Sequence, residues 1–297
     1  MESNVTERSV ELHSLLEKVS NSDISSTQRV ITQIIHVIND SHSTAKDLKE
    51  IIDIDPPLTG KVLKRANSAF YANRRKFSDI LQAIVWVGFD AVKQLALSQK
   101  VCELFESDEN LHGYSRLELW KHSVAVALFG KFVYRREFSL KGDNIYAAGL
   151  MHDIGIIIED QFLHEHFVRI LDSLAGDGGT MLQLERQILG FDHAFLAEKV
   201  TSDWSLPEEL VAAIANHHVP EQAPSEHHRI CKTLFIADQV CHSMNIGFAG
   251  EVAQDRSLLD RYLSDLEMKE TAVDYIADEV EDKISLMEEE GWFQNGG

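Results

Sequence analysis

WKHSVAVALFGKFVY (120–134) decides the fold class. Its apolar residues recur at intervals of three and four rather than at every second position, the spacing that lines one face of an α-helix. The same spacing runs through ILQAIVWVGFDAVKQLAL (80–97) and VITQIIHVI (30–38). The five prolines are Pro56, Pro57, Pro207, Pro220 and Pro224, so residues 58 to 206 lack the residue that most reliably breaks a helix. The chain is expected to be all-α. It shows no repeat of solenoid length.

Start signals agree with that expectation. Thr44 is placed to cap a helix with Asp47 three residues on, and Asp55 precedes Pro56-Pro57, which suits a first turn. Leu206-Pro207-Glu208-Glu209 opens another helix, predicted to run to about His217, with acids where the helix dipole favours them. LDSLAGDGGT (171–180) reads as a loop. The predicted partition is an N-terminal helical extension (1–24), an N-terminal helical lobe (25–105), a ligand-bearing lobe (106–245) and an acidic helical tail (246–297).

The 297 residues include 28 basic and 48 acidic side chains, a formal net charge of −20. Residues 251–297 hold 14 acids and 4 bases, a net of −10, so half the excess lies in the tail. Direct nucleic-acid binding is not expected from this balance, and the short run Arg74-Arg75-Lys76 is read as a solvated loop. The acidic tail is read as a solvated helix face. No stretch reaches the ~18 apolar residues that a membrane helix needs, and MESNVTERSVEL lacks the pattern of a signal segment. A cytoplasmic protein without membrane contact is expected. Cys102, Cys231 and Cys241 show no CxxC spacing, so reduced thiols are expected rather than disulfides or a thiolate metal site.

The chemistry lies in histidines and carboxylates. Glu118 and His122 are four apart and share a helix face. YAAGLMHDIGIII (146–158) sets His152 and Asp153 in a strongly apolar helical segment, where an unpaired charge is costly. Neighbouring helix residues diverge by about 100°, so His152 can face one ion while Asp153 reaches a second. Asp192 is a plausible cap with His193 in the first turn, His217-His218 closes a helix before Val219-Pro220, and Asp238 is embedded in LFIADQV (234–240). A lone histidine on an apolar face is more often a hydrogen-bonded core residue, and His36 is assigned there. His164, His166, His227 and His228 sit in polar surroundings and are expected at the surface. Two acids in apolar helices beside several histidines nevertheless favour a metal site, since buried charges are normally paired or coordinated.

These residues resemble the HD superfamily of metal-dependent phosphohydrolases, in which a His, a His-Asp doublet and a distant Asp bind metal inside a helical bundle. Here they would be His122, His152, Asp153 and Asp238. The segment DPPLTGKVLKRANSAFYANRRKFSDILQAIVWVGFDAVKQLAL (55–97), then LWKHSVAVA (119–127), AAGLMHDIGI (147–156), LGFDHAFLAEKVTSDWSLPEELVAAIANHH (189–218) and LFIADQV resemble the HDOD family, a signalling-output branch of that superfamily. The resemblance covers roughly 25 to 245 and implies a two-lobed helical bundle with an HD-like metal lobe.

His193, His217, His218 and Glu118 add a wider ligand set resembling that of the HD-GYP phosphodiesterases, which act on a cyclic dinucleotide. Two features depart from those enzymes: Ile156 stands where their HDxGK lysine would be, and HHVPEQAP (217–224) lacks the GYP loop. The resemblance implies a regulatory output module with one or two divalent ions, of iron, manganese or zinc, and a protein partner in a signalling pathway. It implies, as the alternative, a metal-dependent phosphohydrolase or cyclic-dinucleotide phosphodiesterase with a nucleotide or phosphate ligand and Asp153 as its central catalytic residue. Apart from the short loop run, no lysine or arginine is read near the ligands to clamp phosphate, which tips the expectation towards binding. No receiver, cyclase or DNA-binding segment is read in these residues.

Overall fold

A computed structural model of the chain describes residues 12–71, 76–106, 110–111, 113–176, 179–248 and 256–294. A helix over 12–20 (α1) leads into α2 (Ile24–Asn39), α3 (Ala45–Asp53), α4 (Pro56–Ala66), α5 (Ile80–Val87) and α6 (Phe89–Cys102). Together these form the N-terminal lobe, with α2 and α4 packed on α6. Its helix starts follow their side chains. Thr44 and Asp47 form a reciprocal capping box for α3, a device that contributes about 1 kcal/mol. Asp55 caps α4 through Leu58 N, and its second oxygen takes the Lys100 ammonium at 2.6 Å, which ties the cap to α6.

The second lobe contains α7 (Arg116–Arg136), α8 (Asp143–Met151), α9 (Ile154–Phe162), α10 (His164–Ala175), α11 (Met181–Ile188), α12 (His193–Ser202), α13 (Glu208–Ala215) and α14 (His228–Ser243). Long, largely buried α7 is its spine, packed on α8 and α14; α8 also meets α6, so the lobes share one apolar core. A two-stranded antiparallel ribbon, Asn110–Leu111 with Tyr114–Ser115, precedes α7. Helices dominate the described residues.

Several expectations need correction. The apolar run 80–97 is two helices broken at Gly88, whose φ of 101° a side-chain-bearing residue rarely adopts. His152 and Asp153 lie at the junction of α8 and α9 rather than inside one helix, Asp153 having φ −97° and ψ 16°. The expected loop from 171 begins later, because α10 runs to Ala175 with Ile170 and Leu171 buried. The helix from Glu208 ends at Ala215, short of His217. His36 is exposed on α2, opposite the buried Ile31, Ile34 and Ile35. Arg74 and Arg75 lie outside the described residues.

The tail holds α15 (Arg256–Asp265) and α16 (Glu270–Glu289). It is not simply a solvated face: Val273, Ile276, Val280, Ile284 and Met287 form a buried stripe on α16, which packs on α7. At its end, the Arg65 guanidinium of α4 donates to the carbonyls of Glu290 and Gly291 at 3.2 and 3.0 Å and lies over Trp292. No described helix is long and apolar enough to cross a membrane.

Candidate metal centre

Five parts of the second lobe bring the sequence candidates together. Mid-helix His122 comes from α7, the doublet His152-Asp153 from the α8–α9 junction, and His193 from the first turn of α12, where Asp192 caps Phe195 N as expected. His217 and His218 follow the end of α13, and Asp238 projects from α14. His122, His152 and His217 are 0 % exposed, Asp238 1 % and Asp153 6 %. A cluster this dry cannot rely on water for its charges.

The ring orientations are set from outside the cluster. Nδ1 of His152 donates to Gly149 O at 2.9 Å, Nδ1 of His217 to Ile214 O at 2.7 Å and Nδ1 of His122 to Ile246 O at 3.3 Å. Nδ1 of His193 donates to the Glu185 carboxylate at 2.8 Å, and Glu185 also accepts from His193 N. With Nδ1 turned to an outer acceptor, each Nε2 points inward, the arrangement by which protein partners orient metal-ligating imidazoles. Nε2 of His152 and of His217, and Oδ2 of Asp238, are buried without hydrogen-bond partners.

The inward atoms form three close groups, His193-His217-His218, His122-His152-Asp153 and His122-Asp238-His242, and the first two are linked through Asp153. Its Oδ2 is 3.1 Å from His152 Nε2; its Oδ1 is 3.5 Å from His193 Nε2 and 3.6 Å from His217 Nε2. His122 Nε2 is 2.9 Å and His152 Nε2 3.6 Å from Asp238 Oδ1, and His218 Nε2 is 2.9 Å from His193 Nε2. Donors about 2.1 Å from an ion are separated by about 3.0 Å at a right angle and about 3.4 Å at the tetrahedral angle. The donor separations therefore fit coordination, and the imidazole and carboxylate donors suit zinc, manganese or iron. An inner position would use His122, His152, Asp153 and Asp238; an outer one Asp153, His193, His217 and His218.

The electrostatics express the same crowding. Burial opposes the charge of His152, but Asp153 and Asp238 win and push it up to about 10. Burial likewise opposes His193, which Glu185 and Asp153 raise to about 9. Burial and the neighbouring His152 press His217 down to about 4, and burial with His217 presses His218 lower than an ordinary histidine. Asp153 and Asp238 are held far below the usual carboxylate range by the imidazoles, against the cost of their burial. Behind Glu185, burial and that carboxylate push Glu159 well up.

Glu118 stands apart. Ser115 caps its amide, its backbone carbonyl accepts from Phe248 N, and among the described residues no candidate ligand group includes its carboxylate. His242, by contrast, was not singled out from the sequence, yet its Nε2 is 3.1 Å from Asp238 Oδ1. The signal was available: Asp238 and His242 have the same four-residue spacing as Glu118 and His122. His164 pairs with Asp160 near the surface, and His228 is half-buried with Nε2 on Ala223 O.

A cleft of about 790 Å³ reaches the cluster at His218, the one cluster residue in its wall. Arg186 also lines it, so a cation does border the site; its guanidinium is held by Asp192 at 2.7 and 2.8 Å. Glu198, Glu208 and Glu226 make the rest of the rim acidic.

A family model described as HDOD domain matches residues 24–220. An uncharacterised protein of Treponema pallidum (strain Nichols) is 23 % identical over 281 residues, 90 % of this chain and 53 % of the relative; the chain thus spans about half that relative's length. Among solved structures, an HDOD domain protein of unknown function from Geobacter sulfurreducens is 24 % identical with a TM-score of 0.74, covering 87 % of this chain and 90 % of the other. A protein of Marinobacter aquaeolei VT8, described provisionally as a signal transduction protein, is 23 % identical with a TM-score of 0.73, covering 98 % of this chain and 66 % of the other. At these identities the structural likenesses speak for the fold.

Proposed function

Since the chain belongs to the HDOD domain family, we propose that it is a signal-transduction output module whose helical lobes are organised around a divalent-metal centre and present a surface to a protein partner. The observation that carries this reading is the enclosure of the cluster. Its donors converge from α7, the α8–α9 junction, α12, the end of α13 and α14, yet only His218 borders the cleft. Ions so placed would each cross-link three parts of the lobe, five between them, and would leave little room for a substrate. The signal-transduction description of the Marinobacter protein is in keeping with it.

The second reading, a metal-dependent phosphohydrolase, draws on the bridging Asp153 and on Arg186 in the cleft wall. Bound ions would supply Lewis-acid charge to a phosphoryl group. Of the chain's own groups, Asp153 would hold the two positions at a fixed separation, and His218 would face whatever occupies the cleft. Asp192 already offsets the charge of Arg186, and the acidic rim opposes an anion.

Metal content of untagged protein, with and without Asp153→Asn, tests both readings, together with turnover of phosphodiester and nucleotide substrates by the metal-loaded chain. We expect metal in the parent, its loss in the variant, and no turnover above that of Asp153→Asn. Metal-dependent turnover abolished by that substitution would establish the hydrolase reading. A folded parent that takes up no metal would refute both.

A further inference from the structure

We infer that His242 is an additional metal ligand, its Nε2 completing the inner position formed by His122, His152, Asp153 and Asp238. The inference rests on the metal reading of the cluster given above and adds a donor to it. It starts from a single oxygen. Asp238 Oδ1 has three imidazole nitrogens around it: His122 at 2.9 Å, His242 at 3.1 Å and His152 at 3.6 Å. The other oxygen of the same carboxylate is buried with no hydrogen-bond partner.

Hydrogen bonding alone would not distribute the donors this way. Asp238 Oδ1 can accept from His122 and His242, but His152 Nε2 at 3.6 Å lies beyond hydrogen-bond reach and, like Asp238 Oδ2, is left buried without a hydrogen-bond partner. Two of the three nitrogens, moreover, belong to rings whose orientation is set by an outer hydrogen bond from Nδ1 to a backbone carbonyl. Crowding of donor atoms about one point, with an oxygen left over, is the pattern of a shared coordination centre.

His242 is held for that role. It lies one helical turn after Asp238 on α14, its side chain is 10 % exposed, and its ring stacks on His122 with centroids 4.2 Å apart and planes at 26°. Its Nδ1 is buried without a hydrogen-bond partner, so no bond at that atom fixes the ring. The inner position then has three imidazole and two carboxylate donors from the protein and no ligand in the cleft wall. The outer position reaches the cleft through His218. The two ions should therefore exchange at different rates, the inner slowly and the outer quickly.

Cobalt(II) supplies the test, because its visible absorption reports its donors and its amount can be measured directly. The wild-type chain is expected to take up two Co²⁺ and, on addition of a chelator, to release one quickly and one slowly. In His242→Ala and His242→Gln, checked for folding by circular dichroism, the slow phase should vanish. The inner Co²⁺ affinity should fall by more than about 100-fold, beyond the about 10–100-fold typical of residues that only orient a ligand, and the visible spectrum should change. If His242→Gln, which can still donate to Asp238, keeps the wild-type spectrum and slow phase, His242 is a hydrogen-bond partner and the inference is overturned. A wild-type chain that takes up no Co²⁺ would overturn the metal reading itself; two ions bound identically in wild type and both variants would overturn only the role of His242.

Discussion

Gly155 offers a sharp test of how the centre is built. It lies in the first turn of α9, against the start of α12, and a Cβ added there would sit 2.0 Å from His193 O, 2.7 Å from its C and 2.9 Å from its Cα. Ordinary contact begins near 3.4 Å, so the oxygen would have to retreat by the difference, about 1.4 Å. These are backbone atoms and cannot rotate away; α9 and α12 must part. Overpacking of this kind costs about 1–3 kcal/mol, which in a chain of this size lowers Tm by roughly 2–12 °C. The same movement carries His193 away from Asp153, from which its Nε2 is now 3.5 Å. Gly155→Ala should therefore melt earlier in the presence of chelator, where metal cannot mask the packing loss, and should hold only the inner ion when metal is supplied. Thermal circular dichroism and metal analysis measure the two effects. A variant with wild-type Tm and wild-type metal content would refute the close-approach argument.

Two further outcomes follow from neighbouring features. Glu185→Gln keeps the side-chain shape but removes the charge that holds His193 through Nδ1 and N; metal affinity should fall about 10–100-fold with the helical content unchanged, and unaltered affinity would remove Glu185 from the centre. Lys131 on α7 is pressed by burial and by Arg135 down to about 8. A folded-state pKa below the unfolded one means that folding expels a proton, so the penalty is full below pH 8 and disappears as pH rises from 8 to about 10.5. Lys131→Met, although it gives up the hydrogen bond to Gln94, should thus raise the unfolding free energy measured in urea at pH 7 by about 1–3 kcal/mol and lose that advantage by pH 10.5; a gain independent of pH would show that the ammonium is not the cause.

The all-α class and several helix starts were legible because their causes are local. Thr44, Asp55 and Asp192 each cap through an amide two or three residues away, and an apolar stripe of helical period needs no tertiary information. The break at His152-Asp153 was not legible: apolar residues continue on both sides because α8 and α9 are each buried nearly all round, which erases the polar face that would mark a change of direction. His36 misled for the complementary reason, since isoleucines on three sides in sequence leave it facing solvent on the helix. His242 was passed over beside polar Ser243, although its distance from Asp238 along α14 placed it on the same face. Arg186 could be joined to the cleft only by the fold that brings α11 beside the end of α13.

The clasp between Arg65 and the carbonyls of Glu290 and Gly291, just past the end of α16, makes that helix a tie rod. One end is bolted to the N-terminal lobe through α4, while the shaft lies along α7, the helix that carries His122. A load that tilts the N-terminal lobe is thus delivered lengthwise to the helix that holds a ligand of the centre. Removing α16 and the residues after it would take away that tie while leaving every metal donor in the chain.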